Sequence, residues 1–199
     1  KSPNLVLPDA DLATQLPAVA MGPLINTGQS CISPTKVLVA KDREAETVAF
    51  YKAMYSATPV GDPKAEGNHL GPLVNKAQYD KVRDLIQSAI DEGAKLETGG
   101  TDLPAGVNRG YYVQPTVFSG VTPDMRIANE EIFGPVATIL TYDSLDQGIE
   151  LANATEYGLS AAITGDPAKA AEVAPHLRAG MVAINNWGPS PGAPFGGYK

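Results

Sequence analysis

Apolar residues along this chain follow two patterns, short continuous runs and longer stretches in which they recur at helical spacing. Short runs bounded by turn residues are typical of buried strands, and they predict strands at 4–7, 36–40, 111–118, 137–142, 158–164 and 180–185. The helical spacing predicts helices between them, at about 12–19, 43–57, 76–92, 145–153 and 167–177. This alternation predicts an α/β fold with a mostly parallel sheet and helices on both faces.

Several of the predicted helices begin beside a residue that can cap a helix N-terminus. Asp9 or Asp11 stands before the first helix, Asp42 before the second, and Asn75 before the third, which is the longest. Pro167 suits the first turn of the last helix, where its missing N–H has no helical partner to lose. The capping residues therefore agree with the helix starts that the apolar spacing predicts.

Length and composition indicate one globular domain over residues 1–199. The chain is 43% hydrophobic and 19% charged, and a chain of this size buries about 70% of its unfolded surface. Its net charge of −7 disfavours a nucleic acid or an anionic membrane as partner. Because no apolar run approaches the ~20 residues that span a bilayer and no signal peptide is visible, we expect a cytoplasmic protein. The sequence does not begin with Met, so upstream targeting stays open.

The single cysteine, Cys31, lies in a polar stretch at residues 25–33. One thiol excludes a disulfide within this sequence. Gly28 allows a tight backbone turn, and the sulfur has hydrogen-bonding neighbours, namely Asn26, Thr27, Gln29 and Ser30. A thiolate is a strong nucleophile, but a free thiol titrates near pH ~8.5 and needs activation. The residues alone leave both a structural cysteine and a nucleophile open.

Three stretches resemble signatures of the NAD(P)-dependent aldehyde dehydrogenase superfamily, in the same order and at about the same spacing. Residues 26–31, Asn-Thr-Gly-Gln-Ser-Cys, are similar to the motif of its catalytic cysteine. Residues 129–136, Asn-Glu-Glu-Ile-Phe-Gly-Pro-Val, and residues 194–199, Pro-Phe-Gly-Gly-Tyr-Lys, are similar to two further signatures. The resemblance covers residues 1–199 as a single catalytic domain, and it implies that the cofactor-binding domain and the C-terminal tail lie outside this sequence.

The resemblance implies an oxidoreductase that converts a small-molecule aldehyde to a carboxylic acid with NAD or NADP, of which NAD is preferred. Cys31 is implied as the nucleophile that forms a thiohemiacetal and then a thioester. Glu131 matches the glutamate that binds the nicotinamide ribose, and Phe133 matches the aromatic residue beside the nicotinamide. From the residues alone, Glu131 would be interpreted as a cap or solvated residue, and Phe133 as part of the core.

Residues 185–189 follow the last predicted strand, and ligands in open α/β sheets gather at the carboxyl ends of strands. We therefore expect part of the site there. In the resembled family this segment borders the substrate tunnel, and the resemblance implies substrate contacts for Ile25, Ser30, Ile32, Trp187 and Phe195. The alternative is that both aromatic residues serve packing.

The two histidines are interpreted as surface residues rather than as catalytic groups or metal ligands. His69 lies in the loop at 58–73, where a single histidine is usually solvated. His176 lies near a predicted helix C-terminus, where it complements the helix dipole. No metal site is expected.

The chain departs from the family pattern at its start. No Gly-x-Gly-x-x-Gly fingerprint follows a strand, and the family's general-base glutamate and oxyanion asparagine have no counterpart here. We therefore expect this sequence alone to be inactive or nearly so, and the full-length protein to be a homodimer or homotetramer. A CoA-acylating relative and a catalytically silent structural relative stay open as alternatives.

Overall fold

The computed structural model describes residues 1–67 and 70–199, which leaves His69 outside the described residues. The strands within these ranges are β1 (Pro3–Val6), β2 (Lys36–Ala40), β3 (Lys95–Thr98), β4 (Thr116–Ser119), β5 (Val136–Tyr142), β6 (Ser160–Thr164) and β7 (Met181–Ile184). They form one sheet in the order β3-β4-β5-β2-β1-β6-β7. Neighbouring strands are parallel, except that β3 pairs antiparallel with β4.

The helices are α1 (Leu12–Met21), α2 (Glu44–Ala57), α3 (Lys76–Asp91), α4 (Arg126–Asn129), α5 (Leu145–Asn153) and α6 (Pro167–Val173). Short 3-10 turns occur at Ile25–Gly28, Lys41–Arg43 and Ala174–His176. Successive residues of a strand point to opposite faces of the sheet, and both faces are buried here. One face packs with α3 to α6 through Leu5, Leu38 and Leu140, and the other packs with α1 and α2 through Val6, Val39 and Ile139. The predicted fold class is confirmed.

Two of the predicted caps are confirmed and one is wrong. Asp11 accepts a hydrogen bond from the Ala13 amide at the start of α1 (3.2 Å), and Asn75 accepts one from Gln78 at the start of α3 (2.9 Å). The N-cap position of α2 is Arg43, which makes no side-chain cap. Asp42 lies inside a 3-10 turn that runs directly into α2, so it is not placed to cap the helix.

The edge of the sheet differs most from the sequence prediction. The search for apolar runs misses β3, because three of its four residues, Lys-Leu-Glu-Thr, are polar. The strand predicted at 111–118 shortens to β4 at 116–119, since Pro115 has no N–H for a strand ladder. The structure also has the short helix α4 where the sequence indicated none. Over the described ranges, no helix is both long and apolar enough to cross a membrane.

Candidate active site

The cysteine motif and the glutamate motif meet at one edge of the sheet. The cysteine loop, which we define as residues 25–34, leads into β2, and the glutamate loop, residues 130–135, leads into β5. β2 and β5 are adjacent and parallel, with Lys36 opposite Thr138. Segments that precede two neighbouring parallel strands arrive at the same edge, so the two loops come together at the amino ends of the strands.

The backbones of the two loops touch at Gly28. Gly28 has a φ of +72°, and a Cβ atom there would overlap the carbonyl group of Gly134 and lie 2.7 Å from the Pro135 nitrogen. Only glycine combines that backbone conformation with no side chain. The contact therefore explains why a glycine stands between Thr27 and Gln29 in the cysteine loop.

Other residues of the two loops also have left-handed backbone conformations. Asn26, Thr27 and Phe133 have φ values of 52°, 57° and 57°. Such conformations are rare for L-residues, especially for a β-branched threonine, and they cluster at functional sites. The Thr27 hydroxyl donates to the Gly71 carbonyl (3.2 Å), and the Gln29 side-chain oxygen accepts from the Val74 amide (2.9 Å). The segment before α3 therefore holds the cysteine loop in place.

Cys31 and Glu131 line the same cleft, although they lie far apart in sequence. The cleft has a volume of about 250 Å³ and is lined by Lys1, Ser2, Cys31, Glu131, residues 156–160, Gly197 and Lys199. Cys31 is exposed and Glu131 is partly buried. The Ser2 hydroxyl donates to the Cys31 carbonyl (3.2 Å). The cleft thus presents a thiol and a carboxylate to one small ligand volume.

Lys1 and Lys199 line this cleft, and Lys36 lies close to Lys1. The Lys1 Nζ atom is buried and has no hydrogen-bond partner among the described residues. Burial and nearby Lys36 lower the pKa of the Lys1 side chain well below its usual value, and Glu131 opposes that shift. Lys36 donates to the Leu151 carbonyl at the end of α5 (2.9 Å), and burial lowers its pKa to about 8. Lys1 therefore lines the cleft and carries a buried amine that has no hydrogen-bond partner among the described residues.

The residues predicted from the family resemblance for substrate binding are spread more widely. Ile25 is 47% exposed and lines a separate apolar groove of about 680 Å³ between the ends of α1 and α2. Ser30 is partly buried and Ile32 is buried, on either side of Cys31. Trp187 packs near Gly22, since a Cβ on Gly22 would lie 3.0 Å from the indole. Phe195 is 62% exposed in the C-terminal segment.

Phe133 does not line the cleft, although it belongs to the glutamate loop. Its side chain is partly buried, and its carbonyl oxygen accepts a hydrogen bond from Gln78 (2.9 Å). Of the residues predicted for catalysis and cofactor binding, the structure therefore brings Cys31 and Glu131 into one cleft. Phe133 stays in the glutamate loop without lining that cleft.

The cleft lies at the amino ends of the strands, whereas the rule for open α/β sheets predicted the carboxyl ends. Residues 185–189 do follow the carboxyl end of β7, but Asn185 turns the chain with a φ of 52°, and Trp187 packs at the end of α1. The C-terminal segment also returns to the amino edge, where the Tyr198 amide donates to the Gly158 carbonyl (2.9 Å). The cleft lies at the amino ends because the loops before the strands carry the Cys31 and Glu131 motifs, and the expectation of substrate contacts at residues 185–189 stays a prediction.

Sequence reasoning missed several residues that line the cleft. Lys1 and Ser2 precede β1, and residues 156–159 precede β6. Their position could have revealed them, because Cys31 and Glu131 also lie just before parallel strands. A search of the residues before every predicted strand would have selected both segments.

Comparison with known proteins identifies the family of the chain. The profile of the aldehyde dehydrogenase family matches residues 1–199. A putative aldehyde dehydrogenase of Staphylococcus haemolyticus is 42% identical over 200 residues, which cover 100% of this chain and 42% of that relative. The chain therefore spans less than half the length of the curated relatives that it matches.

Solved structures match the whole chain as well. A mutant of aldehyde dehydrogenase C from Pseudomonas syringae, in complex with NAD+ and octanal, has a TM-score of 0.96 and 46% identity, covering 100% of this chain and 41% of its own. Mycobacterium tuberculosis aldehyde dehydrogenase complexed with NAD+ has a TM-score of 0.96 and 38% identity, with the same coverage of 100% and 41%. Because the family profile, the sequence relatives and the solved structures each match along its entire length, the chain belongs to the aldehyde dehydrogenase family.

Proposed function

We propose that the protein containing this chain oxidises a small-molecule aldehyde to a carboxylic acid, with NAD+ as hydride acceptor and Cys31 as nucleophile. The observation that carries the proposal is the shared cleft of Cys31 and Glu131. A cysteine and a carboxylate from two distant loops share this small cleft, and the loops touch through Gly28. Membership of the aldehyde dehydrogenase family supports the same chemistry.

Cys31 supplies the covalent step. Its sulfur attacks the aldehyde carbon, a C–S bond forms, the carbonyl oxygen becomes an alkoxide, and the thiol proton passes to a base. The Cys31 backbone N–H is proposed to donate to that alkoxide, as backbone amides do in oxyanion holes. Loss of a hydride from the same carbon leaves a thioester on Cys31. Water then hydrolyses the thioester, which releases the carboxylic acid and restores the thiol.

The cleft residues fit the ribose of a nicotinamide nucleotide. The Glu131 carboxylate can accept two hydroxyl hydrogen bonds, and the buried Lys1 amine offers donors that are unused within the described residues. When bound, NAD+ supplies the acceptor for the two electrons of the oxidation, which a thiol and a carboxylate alone do not provide. We propose that Glu131 orients the ribose and that Phe133 shields the nicotinamide side of the site. NADP+ is the alternative cofactor.

The substrate is proposed to approach Cys31 past the residues predicted for substrate binding. Ser30 and Ile32 flank the thiol in sequence, and Trp187 packs near Gly22, where an added Cβ would also meet Pro34, the last residue of the cysteine loop. Ile25 lines a groove whose other residues are mostly apolar, which suits a hydrocarbon chain. Octanal in the Pseudomonas syringae complex makes an aliphatic aldehyde the first substrate to test.

The first experiment follows the formation of NADH or NADPH at 340 nm, with NAD+ or NADP+ respectively and a panel of aliphatic, aromatic and amino aldehydes. The resemblance places the general-base glutamate and the dinucleotide fold outside residues 1–199, so we propose that these residues alone turn over little or no aldehyde. The assay is therefore run on protein that includes those parts and on residues 1–199 in parallel. Light scattering during purification tests the proposed homodimer or homotetramer.

Cys31→Ala is expected to lower kcat by at least ~10³-fold, because loss of a catalytic nucleophile removes the covalent route. Ser33→Ala is the matched control, since Ser33 lies in the same loop but donates to the Gly22 carbonyl (3.1 Å) away from the cleft. Turnover that survives in Cys31→Ala would refute the assignment. Turnover that requires coenzyme A would indicate an acylating enzyme, and a folded protein with neither turnover nor thiol alkylation would indicate a silent structural relative.

A further inference from the structure

One glutamine of α3 holds the glutamate loop through two hydrogen bonds. The side-chain nitrogen of Gln78 donates to the carbonyl oxygens of Ile132 (3.0 Å) and Phe133 (2.9 Å). Carbonyls on either side of an extended residue point in opposite directions, whereas a helical-type conformation of either hand aligns them. The left-handed φ of Phe133, 57°, is therefore what lets one carboxamide reach both oxygens.

Two further contacts show that this region is closely packed. A Cβ on Gly134 would lie 2.8 Å from a Val82 methyl group, which is one helical turn beyond Gln78. The Gln78 amide is itself capped by Asn75 (2.9 Å), so the first turn of α3 is fixed at its start. The glutamate loop is therefore held by its contacts with Gln78 and Val82 of α3.

The segment that enters α3 holds the cysteine loop in a similar way. The Gln29 side-chain oxygen accepts from the Val74 amide (2.9 Å), and its nitrogen donates to the Asn26 carbonyl (3.1 Å). Asn26 is one of the left-handed residues of that loop. Gln29 and Gln78 thus attach two irregular loops to one continuous segment, residues 74–78.

We propose that Gln29 and Gln78 are positioning residues of the reaction, with Gln29 fixing the cysteine loop and Gln78 fixing the glutamate loop on the same segment of the chain. The inference rests on the proposed function, because it treats Cys31 and Glu131 as parts of one site. Neither glutamine lines the cleft, so each acts only through the loop that it holds.

The proposal predicts that the two glutamines affect different measurements. Gln78→Leu keeps the side-chain size but removes both donors, which frees the glutamate loop. In protein that includes the general base and the dinucleotide fold, we expect it to raise the KM for NAD+ at least 10-fold and to leave Cys31 alkylation by iodoacetamide, measured without cofactor, within twofold of wild type. Gln29→Leu should change the alkylation rate at least fivefold and leave the KM for NAD+ within twofold. Mass spectrometry of the Cys31 peptide follows alkylation.

Gln87→Leu is the matched control, because Gln87 lies on the same helix and donates to exposed Asp91 (2.8 Å) away from both loops. It should leave both measurements within twofold of wild type. Wild-type-like behaviour of folded Gln78→Leu or Gln29→Leu would overturn the inference. Equal changes of both measurements in both variants would also overturn it, because they would indicate general loosening rather than separate positioning.

Gln78→Arg decides the case in which Gln78→Leu does not fold. Its guanidinium restores a pair of N–H donors, so a KM for NAD+ within threefold of wild type supports the inference, and a rise of 10-fold or more overturns it. Wild-type protein that reduces no NAD+ would instead contradict the proposed function, and the inference would fail with it. Normal wild-type turnover with unaffected glutamine variants would contradict the inference alone.

Discussion

Substitution of Gly28 by alanine tests whether the contact between the two loops builds the site. The new Cβ would overlap the Gly134 carbonyl and lie 2.7 Å from the Pro135 nitrogen. Those atoms belong to backbone, so neither can move aside by rotating a side chain. We expect the cysteine loop to shift away from the glutamate loop, which separates Cys31 from Glu131.

The magnitude follows from two separate effects. A left-handed conformation costs an alanine roughly 1–2 kcal/mol, and overpacking against a closely packed neighbour costs about 1–3 kcal/mol. Gly28→Ala should therefore lower the free energy of unfolding by about 2–5 kcal/mol, which corresponds to a Tm lower by roughly 4–20 °C for a domain of this size.

Gly120→Ala separates the two effects. Gly120 has a similar φ of +61°, but a Cβ there would meet nothing within 4 Å. It should therefore show only the conformational cost of roughly 1–2 kcal/mol. The assay is urea unfolding of both variants, combined with Cys31 alkylation. Equal destabilisation by the two substitutions, with unchanged alkylation in Gly28→Ala, would refute the proposed contact between the loops.

Two further predictions concern pH. The Glu97 carboxylate accepts a hydrogen bond from the Ser119 hydroxyl (2.7 Å) and forms an ion pair with Lys95 (2.8 Å). The hydrogen bond from Lys95 is the main cause that lowers the pKa of Glu97 below the usual 4.5. Glu97→Gln should therefore destabilise by about 1–3 kcal/mol at pH 7, and urea titrations should show this difference shrinking as the pH falls below 4.5; a constant difference would contradict the ion pair. Burial lowers the pKa of Lys36 from 10.5 to about 8, so between these values the unfolded chain binds a proton that the folded chain lacks. The stability of wild type relative to Lys36→Met should therefore rise from pH 8 to pH 10.5, and a flat profile would argue against a buried Lys36 amine.

Local sequence patterns determined much of the fold. β2 and α5 were predicted with the bounds that the structure has, and the caps Asp11 and Asn75 were predicted as well. These features depend on residues within a few positions of one another, because strand alternation, helical spacing and capping are all short-range effects. The motifs around Cys31 and Glu131 are also short contiguous segments, so they can be identified from the sequence without knowledge of the fold.

The tertiary structure alone decided where those motifs meet. Strand order brings β2 beside β5, and that pairing joins the loops of Cys31 and Glu131 at the amino edge of the sheet. The overlap that Gly28 avoids involves Gly134, which lies more than half the chain away in sequence. Long-range pairing has no local sequence signature, because it depends on which buried surfaces fit together. The sequence by itself therefore determined most of the helices and strands and the family resemblance. Only packing determined that the cysteine and glutamate loops meet at the amino edge of the sheet, which residues line the cleft, and which residues hold the two loops.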